Sequence, residues 1–513
     1  MTFKHRCLLL AVLLTLVHLA RFDVAQGPIV TDVRFYVYFA ARMADGAVPH
    51  RDFFDNKTQL ATAAGSALVA TARALGLDPL HTMRVGYLGL TGFAALLLFA
   101  IHRELRDGAC IAGLLGMMCY LGFSLLGFLP AIGPLPKLLM GVCASAAALL
   151  AYRGWWMLSG FVGAVAFLDW QIGVLAGLAV FAAALCEREQ RFARTARVVC
   201  GGLAGLALAC AYFAWKGALA VAYRQVVLTS LTRGETALAG KTFTQRIAQI
   251  LGTIAVACPG QAWLAVLGIA GIVLYPILLV RHRGRPTQRL VIALGIFNGG
   301  IVAFSLTDYQ AYGDLFALLA SLAFFAGSAL NEVFFALRAV LLGLAGGDTD
   351  RQRRFSDRAA VAALLVALVA LRIGRPRLDI TLPDKIARGA TSLAQQQSVA
   401  RKINAETAGL QVAFINCPEQ MFLTGHANIL PVGFWNRATH SYFRASSSER
   451  SPEALGRILA AAHPDAVLCA TPRVEYDLQK SGAFERLELH ADSGGYKVVL
   501  LRRIGVAPHP PGG

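Results

Sequence analysis

The chain has 513 residues, of which 56% are hydrophobic and only 15% charged, and its mean hydropathy is +0.56. A soluble protein of this length could not bury so much apolar surface, so the composition assigns the chain to a bilayer. The net charge of +18 does not point to nucleic acid, because Lys and Arg are divided among short breaks between apolar runs rather than gathered on one soluble face.

The first apolar run, residues 7–20, follows Lys4 and Arg6 and lacks a clean small-x-small cleavage site, which favours a retained signal anchor. A cytoplasmic N-terminus then places residues 21 to about 82 outside. Further runs follow at about 83–101, 109–128, 137–152, 155–168, 171–187, 197–215, 259–280, 289–306, 312–333 and 359–373. Counted alternately, the inside breaks are His102 to Arg106, Arg153, Arg188 to Arg197, Arg281 to Arg289 and Arg338 to Arg358. These are the Arg-rich breaks, as the positive-inside rule requires.

The expected fold is therefore an α-helical polytopic membrane protein of about eleven transmembrane helices. Interfacial helices lie in its first outside loop, and a small C-terminal α/β soluble domain follows. The transmembrane domain spans 1–373, and the C-terminal domain, 374–513, lies on the non-cytoplasmic side. Short buried strands are expected at Gln411 to Ile415, Ala466 to Cys469 and Lys497 to Leu501, alternating with helical stretches such as Pro452 to Ala462. No CxxC pair or Cys/His metal spacing occurs, and spacing alone leaves open whether Cys417 and Cys469 pair.

Within the first loop, residues 32–44 have helical spacing with Phe35, Phe39 and Met43 on one face, which predicts a helix lying in the interface and ended by Gly46. Arg51, Asp52, Asp55 and Lys57 then gather directly before the apolar run Leu60 to Leu77. From the residues alone two readings stand. Either Thr31 or Asp32 caps the helix and the later charges form a solvated turn, or these groups form a reactive site.

The order of the loop bears on that choice. An acid opens an aromatic-bearing helix, Ala41-Arg42-Met43-x-x-Gly46 follows, and Pro49-His50-Arg51-Asp52-Phe53-x-Asp55-x-Lys57 precedes an apolar helix. This order resembles the first loop of the GT-C glycosyltransferases, in the protein mannosyltransferase and aminoarabinose transferase branch. The resemblance covers residues 28–60 and, loosely, the whole architecture. It implies transfer of a sugar from a polyprenyl-phosphate-linked donor to a hydroxyl or amine of a lipid, glycan or protein acceptor, with inversion, by a multi-pass protein of the bacterial inner membrane. It also implies Asp32 as general base and Lys57 as the contact to the donor phosphate, with Arg51 as a second candidate.

Two departures from the family pattern affect the site. Lys57 continues as Thr58-Gln59 where family members often have Pro-Pro, and the turn Leu129 to Lys137 has no acid where one usually stands. Either Asp52 or Asp55 supplies the missing role, or no metal-coordinating pair exists; the resemblance leaves a divalent metal open and specifies no other cofactor. Asp169 follows a run short for a span of about 20 residues, which places it below the outer surface. There it is either merely interfacial or faces a polar cavity and holds substrate hydroxyls. In the loop after residue 215, Arg224, Arg233 and Lys241 contact either a phosphate or lipid headgroups. The competing readings are a transporter or flippase of a lipid-linked substrate, which calls for ionisable groups near the midplane of several helices, and a non-catalytic relative that binds lipid-linked sugar. The partners on every reading include membrane lipids and exclude nucleic acid.

Overall fold

A computed structural model of the chain describes residues 3–30, 32–229, 241–258, 260–309, 312–344, 392–432, 434–435, 437–446, 448–469, 484–490 and 497–504. The apolar runs are helices, the form in which a segment satisfies its own backbone inside hydrocarbon. After α1 (Phe3–Leu19) and an irregular stretch come the two helices of the first loop, α2 (Val33–Ala44) and α3 (Leu60–Ala74). Next is α4 (Pro79–Glu104), capped by the Asp78 side chain on the His81 N–H and started by Pro79. The run expected at 109–128 is not one rod: α5 (Cys110–Gly122) and α6 (Ser124–Ile132) meet at 60°. The break falls at Phe123, whose extended backbone ends α5.

There follow α7 (Pro136–Tyr152), α8 (Trp156–Asp169), α9 (Val174–Leu185), entered through a 3-10 turn at Gln171–Gly173, and α10 (Arg191–Trp215). Two short elements that hydropathy does not single out come next: α11 (Leu219–Tyr223), continuing into a π-helical turn at Arg224–Leu228, and α12 (Phe243–Ala257). The bundle closes with α13 (Ala262–Arg281), α14 (Gln288–Thr307) and α15 (Tyr312–Leu344). Among the described residues five helices are long and apolar enough to cross a bilayer, six if α5 and α6 make one bent span, and α1, α7 and α8 are shorter apolar helices. The chain is thus a multi-pass membrane protein. The run expected at 359–373 lies outside the described residues.

The two ends of the bundle differ chemically. At one end Glu187 pairs with Arg289 at 2.7 Å and with Arg194, Glu332 pairs with Arg281 at 2.5 Å and with Arg106, and Glu104 pairs with Arg103 and lies 3.9 Å from Arg153. These contacts tie together the Arg-rich breaks that charge counting assigns to one side. At the other end the chain is largely irregular, and a single cation organises it. Arg84 is completely buried on α4 and donates to three backbone carbonyls, Ile132 at 3.2 Å, Val24 at 3.1 Å and Gly27 at 2.6 Å. Beside Ile132, Gly133 has φ of 145°, and a Cβ there would stand 2.6 Å from Val33 Cγ1. Only glycine therefore lets the end of α6 approach the start of α2.

The C-terminal unit contains α16 (Leu393–Glu406), β1 (Val412–Ile415), α17 (Pro418–Thr424), α18 (Arg437–Phe443), α19 (Ser451–Ala462), β2 (Ala466–Cys469), β3 (Phe484–His490) and β4 (Lys497–Arg503). Its sheet has the order β1-β2-β4-β3, parallel between β1 and β2 and antiparallel elsewhere. All three expected strands are present. The additional strand, β3, lies at an edge, and its charged composition (Glu485, Arg486, Glu488) hides it from hydrophobic patterning. Cys417 and Cys469 are both buried, and among the described residues no disulfide joins them.

This unit grips the first loop by main-chain hydrogen bonds. The Gln396 side chain accepts from Ile29 N–H at 2.9 Å and donates to Ile29 O at 3.0 Å. Phe54 N–H donates to Pro431 O at 2.7 Å, Asn428 N–H donates to the Tyr38 hydroxyl at 3.1 Å, and the Phe35 and Phe434 rings lie 4.8 Å apart.

Arg84→Leu strands three carbonyls at about 1–3 kcal/mol each. The expected result is a large drop in Tm in detergent, and an unchanged Tm would show that those carbonyls have other partners.

Candidate active site

Asp32 sits at the start of α2 with helical backbone angles (φ −67°, ψ −19°), and its side chain makes no cap hydrogen bond. The capping reading therefore does not apply to Asp32, and Thr31 lies outside the described residues. The Asp32 carboxylate is 59% exposed, and its Oδ2 stands 3.6 Å from Lys57 Nζ. Lys57 also donates to the Tyr36 hydroxyl at 2.8 Å, one helical turn along from Asp32.

The turn that presents Lys57 is built by side chains. Asp55 is buried and accepts from Lys57 N–H through Oδ1 at 3.0 Å and from Gln59 Nε2 through Oδ2 at 2.6 Å, closing an Asx turn. Gln225, on the π-helical turn, holds the segment from behind. Its Oε1 accepts from Asp55 N–H at 3.1 Å and its Nε2 donates to His50 O at 3.0 Å. His50 Nδ1 faces two acceptors, Asp55 O at 3.1 Å and Gln225 Oε1 at 3.0 Å, so Nδ1 carries the proton. Burial lowers the pKa of His50 and keeps the ring neutral.

The Lys57 ammonium, and beyond it Lys137 and Arg34, hold the Asp32 carboxyl below the usual carboxylate range against the opposing effect of desolvation. Burial works against the Lys57 charge, but Tyr36, Asp32 and Asp55 outweigh it and raise its pKa. Asp55 is shifted the other way, upward, by its burial. At neutral pH the open pair is thus an ionised carboxylate beside an ammonium. Ion pairs as wet as this one are worth about 0–1 kcal/mol, so a ligand can take either partner at little cost.

The other residues singled out in the sequence are placed differently. Arg51 binds its neighbour Asp52 through Nε at 2.8 Å and Nη2 at 2.9 Å and donates to Lys216 O at 3.1 Å. Asp52 in turn accepts from Val48 N–H at 2.7 Å. The two neutralise each other and tie the loop to the end of α10; the cations acting on Asp32 are Lys57, Lys137 and Arg34. Asp169 is completely buried. The backbone of Ala61 and Met140 faces it, and neither of its oxygens has a hydrogen-bond partner among the described residues. It lies beneath the loop at the junction of α3, α7 and α8 rather than in a polar cavity open to substrate. Arg233 lies outside the described residues.

Lys137 is the group that sequence reasoning passes over. It stands on the first turn of α7, pairs with Asp314 Oδ1 at 2.5 Å and lies 4.5 Å from the Trp170 ring centre. Its one sequence signal is a lone Lys after a Pro-rich turn, which reads equally well as a snorkelling residue. The donor set does not fit a divalent metal. Among the described residues no three His, Cys, Asp or Glu side chains cluster, and the charges around Asp32 are cations that would repel a metal ion.

No protein-family model matches the chain, nor does any curated protein sequence. Solved structures do. ArnT from Cupriavidus metallidurans in the apo state superposes with a TM-score of 0.60 at 14% identity, over 96% of this chain and 97% of that one. The same protein bound to undecaprenyl phosphate gives 0.59 at 14% identity, over 98% and 99%. The Archaeoglobus fulgidus oligosaccharyltransferase in the apo form gives 0.51 at 13% identity, over 91% of this chain and 69% of that one. The chain therefore has the fold of the GT-C membrane glycosyltransferases.

Above α2, Glu419 is buried, with no other side chain hydrogen-bonded to its carboxylate among the described residues, and Arg34 Nη1 stands 3.8 Å away. Burial, only partly offset by Arg34, pushes its pKa from 4.5 up to about 7. Between those values the folded chain keeps a proton that the unfolded chain has released, so stability falls as pH rises through this window, by at most about 3 kcal/mol. Glu419→Gln should remove that loss. The variant's Tm advantage over the wild type should grow from pH 5 to pH 8, and a pH-independent difference would contradict the assignment.

Proposed function

We propose that the chain transfers a sugar from a polyprenyl-phosphate-linked donor to an acceptor hydroxyl or amine at the outer face of the membrane, with inversion at the anomeric carbon. The observation that carries this reading is the uncapped, exposed Asp32 carboxylate 3.6 Å from Lys57 Nζ, at the end of the bundle opposite the Arg-rich breaks. The fold shared with ArnT, which has been solved with undecaprenyl phosphate, supports the donor class. Because basic breaks stay in the cytoplasm, the site and the C-terminal unit docked on it face outward.

In this scheme Asp32 accepts the acceptor's O–H or N–H proton as that atom attacks the anomeric carbon. The bond from that carbon to the phosphate oxygen breaks on the opposite side, and its electron pair leaves with the phosphate. Lys57 stabilises the charge that gathers there. Negative charge thus passes from Asp32 to the leaving phosphate, and the lysine beside both remains paired throughout. Binding of an anion at Lys57 also removes part of the field that keeps Asp32 weakly basic, so donor binding prepares the base. Asp55 and Gln225 hold Lys57 in place, and Arg51 and Asp52 brace the loop outside the reacting centre.

The test is incubation of the purified protein with a panel of polyprenyl-phosphate sugars, following donor loss and product by mass spectrometry. Asp32→Asn should lower transfer by roughly 10²–10⁴ without loss of expression, and undiminished transfer would sink its assignment as base. Lys57→Met should raise the donor KM by about tenfold or more, the value of one charge-assisted hydrogen bond.

A further inference from the structure

The Lys137–Asp314 pair lies next to the site but is not accounted for by the scheme above. Both side chains are only 11% exposed, and they come from the first turns of α7 and α15. Lys137 acts electrostatically on both Lys57 and Asp32, so both lysines favour the ionised form of the same carboxylate. Lys137 also lines a small cavity of about 40 Å³, walled mainly by Leu98, Met140, Phe297 and Phe316 together with Asn298 and Ser321. A shielded cation in a mostly apolar wall suits the chemistry of a lipid phosphate.

The charges change during the proposed reaction in a way that gives the second lysine work. A sugar–phosphate–lipid donor is a phosphodiester with one negative charge. The departing lipid phosphate is a monoester and carries a second, which arrives as Asp32 takes up the acceptor proton. We infer that Lys137 is the cation for that second charge: it is held on Asp314 before reaction and exchanges onto the leaving lipid phosphate as the monoester forms. This rests on the glycosyl-transfer reading. An interaction made with the monoester and not with the diester stabilises the transition state over the ground state and acts on kcat rather than on donor KM. The partner in waiting lowers the desolvation cost of a lysine this deeply placed.

The experiment compares two probes, undecaprenyl phosphate and its methyl diester, on the full-length protein in nanodiscs. Binding is read from the fluorescence of Trp170, whose ring faces Lys137, with Trp170→Phe as the blank and native mass spectrometry as an independent measure. Lys137→Met is expected to weaken the monoester by about tenfold or more while leaving the diester within about threefold of wild type. Lys137→Arg should restore most of the difference, and kcat should fall in Lys137→Met with donor KM nearly unchanged. Asp314→Asn, which frees the lysine, should tighten the monoester and slow product release.

Equal weakening of both probes, or no change in either, overturns the inference. If Lys137→Met does not fold, unchanged monoester affinity in Asp314→Asn overturns it alone. Failure of the wild type to bind either probe removes the donor class and this inference together. Loss of binding in Lys57→Met with none in Lys137→Met removes only the inference.

Discussion

The arrangement of the site depends on satisfying irregular backbone at the edge of the bilayer. Helices supply their own hydrogen bonds, but the stretches from Val24 to Val30 and from Val48 to Gln59 do not, and buried carbonyls and N–H groups without partners are costly. Three side chains from distant elements meet this need. Arg84 on α4 collects three carbonyls, Gln225 on the π-helical turn joins His50 to Asp55, and Gln396 on α16 closes both groups of Ile29. Each acts within a few residues of Asp32 or Lys57. The Asp32–Lys57 pair itself is weakly bound, but its backbone is held by groups buried in three separate parts of the fold.

That division suits transfer chemistry. The groups proposed to change partners, Asp32 and Lys57, form a partly exposed pair, where exchange costs less than in the core. The groups that fix their positions, Asp55, Gln225 and Arg84, are buried and hydrogen-bonded, where rearrangement is expensive. Lys137 and Asp314, the pair proposed to exchange partners, are intermediate, being shielded from water but close to the site.

Much of this architecture is legible in the sequence, for physical reasons. Apolar runs between basic breaks have few alternatives in hydrocarbon, so the apolar helices, the shared end of the Arg-rich breaks and the helix from Val33 to Ala44 follow from pattern, whereas of the eleven expected spans five or six among the described residues have the length and apolarity to cross. The motif over residues 28–60 points to the fold that the superpositions show. What escapes pattern depends on contacts distant along the chain. Lys137 and Asp314 are 177 positions apart, and Gln225 reaches His50 across 175. The bend at Phe123 lies in a run whose hydropathy never falters. Asp169 is buried, and the face on which it lies is set by how α3, α7 and α8 pack, which the sequence does not show. Arg51 and Asp52 both look available because adjacent charges do not show in advance that they will neutralise each other.

The clasp between Ile29 and Gln396 joins positions 367 residues apart. At ribosomal rates of about 5–20 residues per second, the first loop emerges roughly 20 to 70 s before the amide that completes it exists. A nascent chain that has not reached residue 396 therefore carries Asp32 on a segment whose Ile29 N–H and C=O are not yet held. The hold on Ile29 thus arrives only with residue 396, long after Arg84 and Gln225 have been made.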